Sequence, residues 1–115
     1  MKRKPRKIWV SKETFLLVES RQKDLLVRSD GWMIAFVSVG DVVEIWGTIA
    51  NKERRCLRRV TACRRYETML SIVEHEDLTR LAHGNEVQTL SYLARIYSPQ
   101  QEESHAVVLE LKPIT

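Results

Sequence analysis

Alternation of apolar and polar positions is clearest between Asp41 and Ala50, where Val43, Ile45 and Ile49 recur in one set together with Asp41 and Gly47. A period of two is that of a strand with one buried face. Gly40-Asp41 directly before it is a turn signal. A polar turn near Asn51 to Glu53 follows, and Arg54 to Arg65 is expected to return as the second strand of a hairpin. That strand carries a conflict: Arg54, Arg58 and Arg64 share one parity while Arg55, Arg59 and Arg65 share the other. Both faces cannot be fully buried, so either a bulge interrupts the alternation near Arg58-Arg59 or the early half projects into solvent.

Elsewhere the pattern predicts shorter elements. Ile8-Trp9-Val10 reads as a strand, and Ser11 can cap a helix whose first turn holds Glu13. Phe15, Val18 and Gln22 share a face of that helix, widened by Leu16 and Leu17. A strand then runs from Lys23 to Arg28, residues an odd number of positions apart that a regular pleat points to opposite faces. Ser29-Asp30-Gly31 is a turn, and Trp32 to Val37 is too short an apolar run to assign. Between Glu67 and His83 two apolar stripes fall out of phase across Glu76-Asp77, so a break is expected there. Gly84 stops that segment, Asn85 and Gln88 form a capping box, and a helix reaches about Tyr97 before Ser98-Pro99. Ala106 to Leu111 closes the chain as a strand with Val107, Leu109 and Leu111 on one side.

At 115 residues, 43% hydrophobic and 30% charged, the chain fits one globular domain, expected over residues 8–115 after a flexible basic tail at 1–7. The longest wholly apolar run falls far below the roughly 18 residues of a membrane span, so no membrane partner is expected. With no apolar stretch of signal-peptide length behind the basic N-terminus, the cytoplasm is the expected location. Cys56 and Cys63, seven apart on one strand, are expected on opposite faces as unpaired thiols. No metal ligand set and no cofactor motif are present, and no Ser-His-Asp or HExxH arrangement is found. The pattern leaves the oligomeric state open.

Charge changes the picture more than composition does. Residues 1–66 carry sixteen Lys and Arg against seven Asp and Glu, whereas residues 67–115 carry three against eight. A basic side of that kind suits a polyanion such as RNA or single-stranded nucleic acid, or is simply the solvated surface of a mildly basic protein. The candidate contacts are Lys23, Arg28, Arg54, Arg55, Arg58, Arg59 and Arg65, with Trp32 and Tyr66 as the aromatics placed to stack on bases. An edge strand guarded against aggregation by its charges is the competing reading of the arginine-rich strand.

Several short pieces, in this order, resemble the ASCH domain of the PUA-like superfamily: Ser20-Arg21-Gln22-Lys23 through Arg28, Val39-Gly40-Asp41-Val42, Val60-Thr61-Ala62 with Tyr66-Glu67-Thr68, Ile96-Tyr97, and Val107 to Lys112. The resemblance implies an α+β fold, a small PUA-like mixed β-barrel with helices packed around it, and a cleft beside the Lys23 strand used for RNA or nucleotides. One small branch of the family is an amidohydrolase acting on N4-acetylcytidine through a Lys, a Thr three residues later and a downstream Glu. Lys23 matches the first, Leu26 stands at the hydroxyl position, and the Glu falls among Glu67, Glu74 and Glu76, with Glu74 taken together with Lys23 as the catalytic candidates. The readings that follow are an RNA-binding module, a small hydrolase acting on modified nucleosides or RNA, and a protein-interaction module.

Overall fold

The computed structural model describes residues 5–29, 37–67, 69–81, 87–91 and 106–114. Its elements are β1 (Arg6–Trp9), α1 (Lys12–Glu19), β2 (Leu25–Ser29), β3 (Val42–Ile49), β4 (Lys52–Tyr66), α2 (Met69–His75) and β5 (Ala106–Pro113), with 87–91 also helical. The strands form one five-stranded sheet in the order β1-β3-β4-β5-β2. β1 pairs with β3 in parallel and every other neighbour is antiparallel. The mixed sheet curls into a half-barrel. Of the segments read from the pattern, Trp32 and its apolar run up to residue 36, the turn at Asp30-Gly31, Asn85 and the stretch ending at Tyr97 lie outside the described residues.

β1 takes in Arg6 and Lys7, which the charge pattern assigned to the tail. Parallel pairing draws them in, because Arg6 lies opposite Val43 and Lys7 opposite Glu44. Helix α1 forms where its cap predicts, the Ser11 hydroxyl accepting a hydrogen bond from the Thr14 N–H at 3.2 Å. Its apolar face is narrower than the sequence suggests: Phe15 and Val18 are buried, while Leu16 is exposed and Gln22 lies past the end of the helix. The β3–β4 hairpin closes on Ala50 and Asn51, both at positive φ, with Ile49 opposite Lys52. Two positive-φ residues give the turn the twist that matches its strands.

Two apolar layers sandwich the sheet. The larger one, on the α1 side, joins Ile8, Phe15, Val18, Leu26, Val43, Ile45, Val60, Val107, Leu109 and Leu111. The smaller one, on the other side, joins Leu25, Val27 and Val108 to Ile72 and Val73 of α2 and to Leu81. β2 contributes to both, which explains why Leu25-Leu26-Val27 is an unbroken apolar run: both of its faces are covered. Helix α2 stops at His75, where the two stripes lose phase, and residues 78–80 make a turn.

A bulge resolves the arginine conflict in β4. The register runs Val60 to Leu111 and then Ala62 to Glu110, leaving Thr61 as the extra residue. Its hydroxyl donates to the Glu110 carbonyl at 3.2 Å, supplying that oxygen with a donor at the break in the ladder. Past Thr61 the parity inverts, so Arg65 joins Arg54 and Arg58 on the α1 side while Arg64 joins Arg55 and Arg59 on the other. The same inversion corrects the reading of the cysteines. Cys56 and Cys63 do not diverge: both pack against the larger core, as reduced thiols.

Candidate nucleic-acid interface

Lys23 lies between α1 and β2, its backbone N–H donating to the Leu17 carbonyl at 3.1 Å and its side chain only 1% exposed. Arg28 stands at the far end of β2, five residues on, which at about 3.3 Å per residue is roughly 16 Å away. The sheet groups Arg28 instead with Arg65. Val107 of β5 is the register partner of both, so the two guanidinium-bearing residues flank one buried valine in a single row across β2, β5 and β4. They share the α1 side of the sheet; Arg28 is partly exposed and Arg65 exposed.

The opposite side of the same strands holds a chain of ion pairs. Asp24 receives two hydrogen bonds from Arg80, at 2.8 and 3.0 Å, and Arg80 also donates to Glu110 at 2.8 Å. Glu110 is shared with Arg64 at 2.9 Å, and Arg64 in turn grips Glu76 through two bonds of 2.6 and 2.7 Å. The Tyr66 hydroxyl closes the series on Glu76. Planar bidentate contacts of this kind are the strong ones. Burial pushes the Glu76 carboxyl up, but hydrogen bonds from Arg64 and Tyr66 override it and hold the group below its usual value. Glu110 is held low by Arg80 first and Arg64 second, against a smaller opposing effect of burial. Burial pushes the Tyr66 hydroxyl up, and its bond to Glu76 adds to the rise. The effect is to clamp α2 and the turn after it onto β2, β4 and β5.

Most arginines of β4 have a structural partner. Arg54 pairs with Glu19 of α1 at 2.5 Å and lies over the Phe15 ring. Arg58 is 9% exposed and donates to the carbonyls of Val18, at 2.9 Å, and Leu57, at 2.7 Å. It thereby brings a cation to the C-terminal end of α1, where the helix dipole favours one. On the other side, Arg55 pairs with Glu44 at 2.8 Å and Arg59 donates to the Gly40 carbonyl at 2.9 Å. The structure therefore splits the basic strand between two faces and does not gather it into one finger.

Among the acidic candidates Glu67 and Glu74 are exposed, Glu74 on α2, whereas Glu76 has a side chain only 3% exposed. Leu26, at the hydroxyl position, is fully buried in the larger core. No group of three or more His, Cys, Asp or Glu residues suited to a metal ion occurs among the described residues. No helix among them is long and apolar enough to cross a membrane. The sequence reading missed the roles of Asp24, Arg80 and Glu110, which meet across 56 and 30 positions of chain and leave no local pattern. It also passed over Trp9 and Trp46, whose alternation on β1 and β3 was the available signal.

No family model matches the sequence, and no curated protein matches it either. Solved structures do. The crystal structure of the hypothetical protein PH0355 superposes with a TM-score of 0.79 at 17% identity, over 96% of this chain and 100% of that one. Protein PF0455 from Pyrococcus furiosus, solved by NMR, gives 0.71 at 20% identity over 96% and 98%. An ASCH protein of Zymomonas mobilis, crystallised in mutant form, gives 0.67 at 16% identity over 96% of this chain and 70% of its own. The fold is the one these structures share, that of the ASCH protein among them. Within that fold, β2 and β4 carry Arg28 and Arg65, Lys23 lies just before β2, and α1 covers the sheet on the side where Arg28 and Arg65 stand.

Proposed function

We propose that the chain is an ASCH-type module that binds single-stranded RNA along the Arg28–Arg65 row. The observation that carries this reading is the placement of two arginines on one face of the half-barrel, two strands apart and both reached by solvent. Arginine suits phosphate because its planar fork matches the oxygens. The basic first two-thirds of the chain supplies the wider field that draws a polyanion in. Binding is favoured over hydrolysis by Leu26, which places a buried methyl-bearing side chain where the amidohydrolase branch has a hydroxyl; a leucine neither attacks nor donates. Lys23, whose side chain is almost wholly buried, is not placed to touch RNA and does not belong to the row.

The test is fluorescence anisotropy with a labelled single-stranded RNA oligonucleotide across a range of salt. Affinity should fall as salt rises, and Arg28→Ala and Arg65→Ala should each reduce the steepness of the log–log dependence by roughly 0.7. Affinity that does not respond to salt, or that both variants leave untouched, removes the proposal.

A further inference from the structure

The sheet face opposite the larger core bears an aromatic and basic surface in the half farthest from α2. In register across β1, β3 and β4 stand Trp9, Trp46 and Arg55, and in the next row Lys7, Glu44 and Leu57. A third row runs from Val42 through Arg59 to Lys112 of β5. Period-two geometry puts all of these side chains on one side. Trp9 is 45% exposed on an edge strand, and Leu57 is exposed two strands away in the next row. Burial therefore does not account for a tryptophan at position 9.

The surface is held in place from beneath. The Trp46 indole N–H donates to Glu44 Oε1 at 3.2 Å, and Arg55 donates to Glu44 Oε2 at 2.8 Å. One nearly buried carboxylate thus orients the ring and the guanidinium together, and its charge is answered by Arg55. Lys7 Nζ sits 4.9 Å from the Trp46 ring centre and Arg55 Cζ 5.9 Å from it. Trp9 rests against Trp46 with ring centres 5.4 Å apart and planes 34° from parallel. Trp46 and its cations are a support; Trp9 is the ring left facing solvent. Around it the surface carries Lys7, Arg55, Arg59 and Lys112 against Glu44 and Glu53, and Lys2, Arg3 and Lys4 directly precede β1 in the sequence.

We propose that the outer face of β1, β3 and β4 is a second contact surface for single-stranded RNA, on which Trp9 stacks a base while Lys7, Arg55, Arg59 and Lys112 line the path of the phosphates. Aromatic rings on a sheet face with cations beside them suit unpaired bases, because every base has a ring face and every linkage an anion. This surface lies on the other side of the sheet from Arg28 and Arg65. It rests on the reading of the chain as an RNA binder, and the two sites separate by mutation.

The experiment titrates the full chain with labelled oligouridine and oligoadenine of equal length, following anisotropy together with intrinsic tryptophan emission. Trp9→Ala should weaken binding by about 5- to 150-fold, the range for losing one base–aromatic stack, and Trp9→Phe should restore most of it. Lys7→Glu, which leaves both indoles in place, should weaken binding and flatten its salt dependence. Circular dichroism checks that each variant is folded, and RNA quenching of emission in the Trp32→Phe background reports on Trp9 and Trp46, with both of those rings left in place. Binding that Arg28→Ala and Arg65→Ala weaken but Trp9→Ala and Lys7→Glu do not, with no quenching, overturns the second surface and leaves the first. Absence of RNA binding by the parent chain overturns both. A Trp9-dependent dimer in sedimentation that excludes RNA also overturns this surface, identifying a second copy as its occupant.

Discussion

Phe15 of α1 lies directly on Gly47 of β3: a Cβ built at Gly47 would stand 2.7 Å from the Phe15 Cβ and 2.8 Å from its Cγ. Those are the root of the side chain and not a flexible tip, and Phe15 is fully buried. Helix and strand approach this closely only because position 47 has no side chain. Gly47→Ala should therefore cost about 1–3 kcal/mol through overpacking. The measurement is the urea midpoint, and an unchanged midpoint would mean that α1 can lift away freely.

The ion-pair chain makes acid sensitivity directional. Glu76 and Glu110 both titrate below their ordinary 4.5 in the folded chain. Their contribution is fully present above the unfolded value and is lost as pH falls through the lower folded values. Thermal stability should accordingly fall on acidification from about pH 5 downward. Arg64→Met leaves two carboxylates without that partner and should cost about 1–3 kcal/mol near neutral pH, with a shallower loss in acid. Melting curves from neutral to strongly acidic pH decide it; an acid limb as steep as in the parent chain would show that the network does not govern it.

Arg58 supports the end of a helix from inside the sheet. Arg58→Met keeps much of the volume but leaves the Val18 carbonyl without its charged donor, and should cost about 1–3 kcal/mol. Denaturant unfolding reads that loss directly. RNA affinity of the folded fraction should stay near that of the parent, since this guanidinium faces carbonyls.

Burial pushes the Cys56 thiol up, Arg58 pulls it down by less, and Glu19 adds to the rise. Thiolate is the reactive form. In a Cys63→Ser background, iodoacetamide should alkylate Cys56 more slowly at mildly alkaline pH than it alkylates the same chain in denaturant. Equal rates would show a thiol open to water.

How much was legible differs by element. The β3–β4 hairpin, the Ser11 cap and the break after α2 follow from local periodicity and capping, interactions that live within a few residues. The arginines at alternating parity announced that β4 must break its pattern, but not that Thr61 is the residue that leaves the ladder, because a threonine fits a regular strand equally well. Lys23 and Arg28 look like neighbours in sequence, and only the register reveals that Arg28 belongs with Arg65. Trp9 and Trp46 are brought together by a parallel pairing of β1 with β3, which no turn between them advertises.

Thr61 also limits how this chain can evolve. Were Thr61 drawn into the ladder as an ordinary pleated residue, the guanidinium of Arg64 and the phenol of Tyr66 would rotate toward the greasy interior while Cys63 and Arg65 swung outward. The faces of everything downstream on that strand therefore depend on one backbone unit staying outside the ladder: losing that unit keeps them, whereas pairing it reverses them.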